Sequence, residues 1–472
     1  MQKTHIMLQG FGAFPINFKA LIERSRALND PIEWSIICST GHYVKMYQDL
    51  LGKDAVLYLH SDMKNHLNAP DLFNNLTDYA GNIYRNIESE KRFTKHKKSM
   101  RQLKSAAAMY LSMKKFIVNR KPTHILFGQI EGMDGMTLIS LGKELGIPSL
   151  VLSHTRHLGE IFFSPDEVES LPANKTVTDA HRAKAQVFLK NFRAGKTSAS
   201  ALPPEIINSV DEKYNTYTHP PFFKRCIGTV KRLIAEPEMR EPDVFRSSIL
   251  INFPFIANIL WGTRIFFNKR VYDIETLEQL PKRYAYYPLQ YSPESSINTP
   301  APYFVDQTRA IDAIRFALPS DMMLVVKEHP VCLGLRKLGF LNRLQKKAGV
   351  VLARYDMSSK EISENAAITF SVTGTAALES FLMGKPSLTL GGAFFAQALG
   401  GPTGVDTLPQ RIRYSLANHP TEDHIIESIA RIYAASAPFI VGSVFDEGSV
   451  FSKYSLNKTN INTFYDALKD NL

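Results

Sequence analysis

Between Pro281 and about Phe395 the chain carries, in order, residue types suited to binding and transferring charged groups. Leu289 to Ser296 reads Leu-Gln-Tyr-Ser-Pro-Glu-Ser-Ser, and Lys327 to Pro330 reads Lys-Glu-His-Pro. Thr373 to Glu379 reads Thr-Gly-Thr-Ala-Ala-Leu-Glu, followed from Gly384 by Gly-Lys-Pro-Ser-Leu-Thr-Leu-Gly-Gly. A carboxylate such as Glu294 can serve as a nucleophile or a base. An imidazole such as His329 can hydrogen-bond a phosphate or carboxylate, or handle a proton. A strand that breaks into Thr373, Gly374 and Thr375 and enters a helix offers free N–H groups and the positive end of a helix dipole to an anion. Two hydroxyls add donors there, and Gly374 lets backbone approach closely. Lys327 adds positive charge. Glu379 suits either a capping role or a bond to a sugar hydroxyl. A lone His-Pro is also ordinary turn chemistry, so the weight rests on its place one βα unit after Glu294.

Most of these polar clusters follow short apolar runs. In an open α/β sheet such run-outs are strand C-termini, and ligands bind in the crevice beyond them. Strands are expected over Tyr284–Leu289, Met322–Val326, Val350–Leu352 and Ala367–Val372. The helices between them are expected over Val305–Leu318 and from Ala376 onward. Pro288 and Pro293 stiffen the flanks of Gln290, Ser292 and Glu294, and Pro330 restrains His329 to extended backbone.

The first half repeats the alternation. Strands are expected at Thr4–Leu8, Trp34–Cys38, Ala55–Leu59, His124–Gly128 and Ser149–Leu152, with helices from Asn17 to Leu28 and from Met136 to Leu145. Short buried strands alternating with helices imply a parallel, doubly wound sheet. Gly10 and Gly12 follow the first strand, but the run is not GxGxxG, so no dinucleotide fingerprint is present. Glu131 and Asp134 follow one strand, and His154, Arg156, His157 and Glu160 follow the next, as polar groups placed to face a cleft. Their spacing matches no zinc signature, and no metal is expected.

At 472 residues the chain exceeds one ordinary domain. Four parts are expected: an N-terminal Rossmann-like domain over 1–178, a helical connector over 179–280, a C-terminal Rossmann-like, anion-binding domain over 281–440, and a helical tail over 441–472 that crosses back to the first domain. Hydrophobic residues make up 44%, which excludes a disordered chain. The three cysteines have no CxxC spacing, which argues against a disulfide framework and suits a reducing compartment. The start lacks a signal-peptide pattern, and a cytoplasmic location, with attachment to the inner face of a membrane left open, is expected. The net charge of +11 is concentrated between Lys91 and Lys121, where eleven bases and no acid occur. That run suits phosphate or anionic lipid. With few aromatics and no known module, nucleic acid is not expected as a partner. The apolar stretch Ser248–Phe267 is interrupted by Asn252, Pro254, Asn258 and Arg264, which disfavours a spanning helix. A buried interdomain helix or peripheral membrane contact fits it instead.

The order of the three motifs, over about residues 281–395, resembles that of the bacterial capsular polysaccharide synthesis family, which includes the retaining β-Kdo transferases that use CMP-β-Kdo. The resemblance implies an α/β fold of GT-B type, two Rossmann-like domains facing each other across a cleft with extra connecting helices. It implies a metal-independent glycosyltransferase with a nucleotide-sugar donor, first of all a CMP-linked ulosonic acid, a glycan or glycolipid acceptor, and no other cofactor. Glu294 takes the acidic role as nucleophile or base, and His329 that of the donor-contacting His-Pro. Gln290, Ser292, Lys327, Pro330, Thr373, Gly374, Thr375 and Glu379 form the donor side. Gly10, Gly12, Glu131, His154 and Arg156 form the acceptor side. The family more often has Asp where Glu294 stands, and the Kdo transferases have Glu-Asp-Gly where this chain has Ser153-His-Thr. Two other readings fit the same residues: an NDP-hexose transferase or epimerase of the same fold, and a non-catalytic protein that binds glycan or lipid during assembly.

Overall fold

The computed structural model describes residues 4–11, 14–39, 41–67, 72–76, 81–90, 99–196, 262–292, 294–442 and 450–472. They divide into two α/β units. The first holds the described residues up to Asn174 together with Ala435–Leu472, and the second holds those from Lys175 to Ala434.

The first unit is built on a seven-stranded sheet. Its strands are β1 (His5–Gly10), β2 (Glu33–Cys38), β3 (Val56–Tyr58), β4 (His124–Phe127), β5 (Ser149–His154), β6 (Ile161–Ser164) and β12 (Ser436–Ala437), in the order β12-β6-β5-β4-β1-β2-β3. From β3 to β5 all neighbours are parallel. The sequence pattern implied a wholly parallel sheet, but β6 and β12 are antiparallel additions at one edge. A tight turn makes the reversal possible. The Thr155 amide and hydroxyl both donate to the Glu160 carbonyl at 2.9 and 2.8 Å, and Gly159 adopts φ 75°.

The C-terminal helix Lys458–Lys469 lies against the helix Pro15–Ala27. Phe464 stacks on Phe439 with ring centres 4.7 Å apart, and both meet Phe163 under β6. Tyr465 donates its hydroxyl proton to Asp30 at 2.6 Å. Asn82 caps a short helix, Ile83–Ser89, and a 22-residue helix runs from Ser99 to Arg120.

The second unit holds a five-stranded, wholly parallel sheet of β7 (Tyr284–Pro288), β8 (Met323–Lys327), β9 (Val350–Ala353), β10 (Ile368–Ser371) and β11 (Ser387–Thr389), in the order β11-β10-β7-β8-β9. Its strands are nearly all buried, as sheets covered on both faces require. The helix Asp179–Arg193 belongs to this unit. Phe188 packs edge-on against Tyr433, and Arg182 pairs with Glu427 at 2.9 Å. The Ser248–Phe267 stretch up to residue 261, the 197–241 part of the expected connector and bases 91–98 lie outside the described residues. No helix among the described residues is long and apolar enough to cross a membrane.

In both sheets strand addition starts at the middle and changes side once. The first sheet changes between β1 and β4, the second between β7 and β10. A doubly wound sheet opens a crevice at such a point, beyond its strand ends.

Candidate functional site

The second switch point gathers the three motifs, because β10, β7 and β8 are neighbours in that order. Gln290 follows β7, Lys327 ends β8 and Thr373 follows β10. The Gln290 carboxamide joins two of these ends. Its Oε1 accepts from the backbone N–H of Val372 at 3.1 Å and of Thr373 at 2.9 Å, and its Nε2 donates to Thr373 Oγ1 at 3.0 Å. The Thr373 hydroxyl donates in turn to the Ser296 carbonyl at 2.6 Å. Both side chains thus hold the floor of the crevice together. Of the two hydroxyls expected as donors, that of Thr373 already has an acceptor within the protein.

Gly374 is the N-cap of the helix Thr375–Leu382, with no side chain capping it. The first amides of such a helix have no partner within the helix and point toward the crevice end. A Cβ on Gly374 would lie 3.2 Å from Gln290 Nε2, so the clamp and the helix start are packed together. Thr375 is the first residue of the helix, and Glu379 lies one turn on, half-buried.

Lys327 is buried at the mouth of β8, and its Nζ donates to Ser359 Oγ at 3.0 Å. Burial pulls its pKa below the usual lysine value, while Asp356 and Glu328 act in the opposite direction. His329 is half-buried, with the Tyr291 ring edge-on at 6.1 Å between centres. Its pKa is held below 6.5 by burial and by the positive charges of Lys327 and Arg336. Pro330 is exposed and opens a short turn in which the Cys332 N–H donates to the His329 carbonyl at 2.8 Å. Ser292 is half-buried beyond β7. Glu294 accepts from Ser296 Oγ at 2.7 Å, and its carbonyl starts the helical turn Ser295–Asn298.

Three residues not singled out by sequence reasoning tie this arrangement together. The Glu328 side chain is fully buried and meets Arg336, whose Nε lies 2.7 Å from Oε2. Arg336 Nη2 also donates to Glu328 Oε1 at 3.2 Å and to the Gln290 carbonyl at 2.9 Å, while the His329 N–H donates to Glu328 Oε1 at 2.8 Å. One buried ion pair therefore fixes the backbone at the ends of both β7 and β8. Burial pushes the Glu328 carboxyl up, and Arg336 opposes that shift. Gln307 completes the bracket around Gln290, accepting from its N–H and donating to its carbonyl, both at 2.8 Å. The available signal was a carboxylate at the mouth of a buried strand, which must find a partner.

The residues expected on the acceptor side lie in the first unit. Gly10 ends β1 where a Cβ would meet Ile36 and the Ile37 carbonyl at 2.9 Å, so close strand packing alone requires glycine there. Gly12 lies outside the described residues. Glu131 is the N-cap residue of the helix Gly132–Glu144 after β4 and makes no side-chain cap bond. Gly10 and Glu131 therefore flank the first sheet's own switch point. Nearby, the Glu90 carboxylate accepts from the Met133 N–H, and buried Asp134 accepts from Ser39 Oγ, both at 2.5 Å. Burial pushes the Asp134 carboxyl up to about 6, against the lowering effect of Ser39. His154 is exposed at the end of β5. Arg156 pairs with Glu169 at 3.2 Å, and Glu160 accepts from Ser436 at 2.6 Å.

Two Rossmann-like units in one chain, with a strand-end crevice in the second, define a GT-B-like α/β protein. Residues 267–407, which contain the whole of that crevice, match the family model described as "Capsule polysaccharide biosynthesis protein". The resemblance to the capsular polysaccharide synthesis family thus holds over the segment that bears the three motifs. No curated protein matches the chain. Among solved structures it is similar to the Methanocaldococcus jannaschii UDP-GlcNAc 2-epimerase in complex with UDP-GlcNAc and UDP, with 13% identity over 92% of this chain and 99% of that one and a TM-score of 0.24. It is also similar to two structures of Thermosulfurimonas dismutans KpsC. The beta Kdo 2,7 transferase has 11% identity over 68% of this chain and 90% of that one, and the beta Kdo 2,4 transferase 12% over 66% and 87%; both TM-scores are 0.32.

Proposed function

We propose that the chain is a glycosyltransferase of bacterial surface-polysaccharide synthesis, which moves a CMP-activated ulosonic acid such as Kdo onto a glycan or glycolipid. The observation that carries this reading is the convergence of Lys327, His329 and an uncapped helix start at Thr375 on one switch point, inside the segment that matches the family. In the reaction the bond from the sugar's anomeric carbon to the phosphate oxygen breaks, and its electron pair leaves with CMP. Lys327, His329 and the helix amides stabilise the charge that gathers on that oxygen, in place of a divalent cation. The acceptor hydroxyl forms the new bond and gives up its proton. Glu294 acts as nucleophile in a double displacement or as base in a single one. Glu131, His154 and Arg156 of the first unit contact the acceptor. The helix Ser99–Arg120, with Arg101, Lys104 and Lys115 exposed, would bring the enzyme to anionic membrane.

A metal-free thermal-shift panel of CMP, CDP, UMP, UDP, GDP and ADP tests the donor site on wild type and on His329→Ala. A ligand at 100 times its dissociation constant adds about 2.7 kcal/mol. Stabilisation by CMP alone, lost in the variant, supports the proposal. A selective UDP or GDP response would replace the donor, and silence across the panel would sink the site.

A further inference from the structure

The second unit also contains a cavity of about 770 Å³, within the size range of small-molecule sites. None of the strand-end residues described above lines it. Its walls are the start of β11 at Ser387, the turn Ala396–Leu399, the helix Leu408–Ala417 and the residues that lead into the helix Glu422–Ala435. The helix Thr375–Leu382 connects the two places. It starts at the strand-end crevice, and Phe381 in its last turn lines the cavity. Eight residues of helix separate them by roughly 10–12 Å.

The lining has a definite electrostatic sense. Arg411, His419 and His424 face the cavity, and no Asp or Glu is among the lining residues. The two terminal nitrogens of Arg411 lie edge-on against Gly400, where a Cβ would sit 2.6 Å from each and 3.1 Å from Cζ, and φ of Gly400 is +82°. Arg411 Nη2 donates to the Leu399 carbonyl at 2.6 Å. That bond leaves the remaining donors of the fork without a carboxylate among the described residues. Of the acids nearest in sequence, Asp406 and Glu422 both lie outside the lining, and Glu422 is already paired with Arg193 at 2.7 Å. His424 is held by the Ala398 carbonyl at 2.8 Å and by the edge of Phe381. One turn beyond Arg411, Tyr414 presents a ring that is 63% exposed, and Asn418 and Gln397 add amide groups to the wall. An anchored guanidinium, an open aromatic ring and neutral amides, with no competing carboxylate, match a sugar ring that bears an acid group.

We propose that this cavity is a second binding site, for an anionic sugar residue, with Arg411 pairing the acid group and Tyr414 stacking on the ring. The site is independent of the donor crevice and of the reaction assigned to it.

Calorimetric titration of the full chain with tetragalacturonate, maltotetraose and inorganic phosphate tests it. Tetragalacturonate is expected to bind at least tenfold more tightly than either of the others. Arg411→Gln is expected to weaken it about tenfold or more, as loss of a charged hydrogen bond does. Tyr414→Ala, at an exposed position that leaves the fold intact, is expected to weaken it several-fold. Maltotetraose binding equally well would overturn the anionic requirement, and phosphate binding equally well would overturn the sugar. Absence of tetragalacturonate binding, or unchanged affinity in both variants, would overturn the site itself. The nucleotide panel run on the same variants keeps the two readings apart. An intact CMP response without glycan binding removes this inference alone, and glycan binding without any nucleotide response removes the donor reading alone.

Discussion

Replacing Arg336 with leucine is expected to loosen the ends of β7 and β8 together. The Glu328 side chain is fully buried and that of Arg336 is 10% exposed, so the variant strands a carboxylate in the interior. Removing one partner of a buried pair costs about 3–5 kcal/mol, a range that takes in the bond from Arg336 to the Gln290 carbonyl. Amide hydrogen exchange reads the loss locally, without assuming that a two-unit chain unfolds in one step. At about 1.4 kcal/mol per tenfold, protection over Tyr284–Leu289 and Met323–His329 is expected to fall by roughly two to three and a half orders of magnitude.

The pH dependence of that loss has a fixed sign. Burial already raises the Glu328 carboxyl above 4.5, and without Arg336 nothing comparable opposes burial. A carboxyl raised on folding contributes stability below its unfolded pKa and loses it as pH climbs through the folded value. The gap between variant and wild type therefore narrows as pH falls from 8 toward 4.5, because the stranded group takes up a proton. Adding Glu328→Gln removes the buried charge and is expected to restore most of the protection. A loss below about 1 kcal/mol would refute the reasoning. So would a loss that stays constant across pH, or a double variant as damaged as the single one.

Lys327→Met removes a buried cation whose described bond is to Ser359. Thermal stability is expected to hold or rise, by about 1 kcal/mol, while the CMP response disappears; a fall in stability with the response intact would reverse the assignment. His329 is expected to titrate below 6.5 by NMR, with its contribution to stability present above that value and lost as pH falls through the folded pKa. A midpoint above 6.5 would mean that burial, Lys327 and Arg336 do not set it. Gly391→Ala would place a Cβ 2.7 Å from that of Ala301 and 2.9 Å from Thr373 Cγ2. Overpacking of about 1–3 kcal/mol, read as a lower unfolding temperature, is expected, along with weaker CMP binding as Thr373 shifts. An unchanged unfolding temperature would show that the β10–β11 corner yields freely.

The strands were legible because buried parallel strands are short apolar runs closed by polar residues, glycine or proline. Tyr284–Pro288, Met323–Lys327 and Ile368–Ser371 fall within two residues of the expected bounds. The β5–β6 reversal was not legible. His154 to Glu160 reads as one polar loop, and the turn depends on Thr155 bonding to Glu160, a pairing that periodicity does not report. The same limit applies inside the crevice. The sequence identifies Gln290 and Thr373 as polar groups at strand ends, but whether an amide faces a ligand or its own backbone is decided by which strand lies beside it. Here β7 lies beside β10, so Gln290 bonds to Val372 and Thr373. Arg336, eight residues beyond Glu328, was invisible for the same reason, since only the fold returns it to the mouth of β8. Several of the motif's polar residues therefore build the crevice. The positive groups at its rim are Lys327, with one of its three donors used on Ser359, and the first amides of the helix at Thr375. On the reading proposed above, a floor held by neutral and paired groups beneath a rim of donors would select an anion by charge and would leave the identity of the sugar to the residues around it.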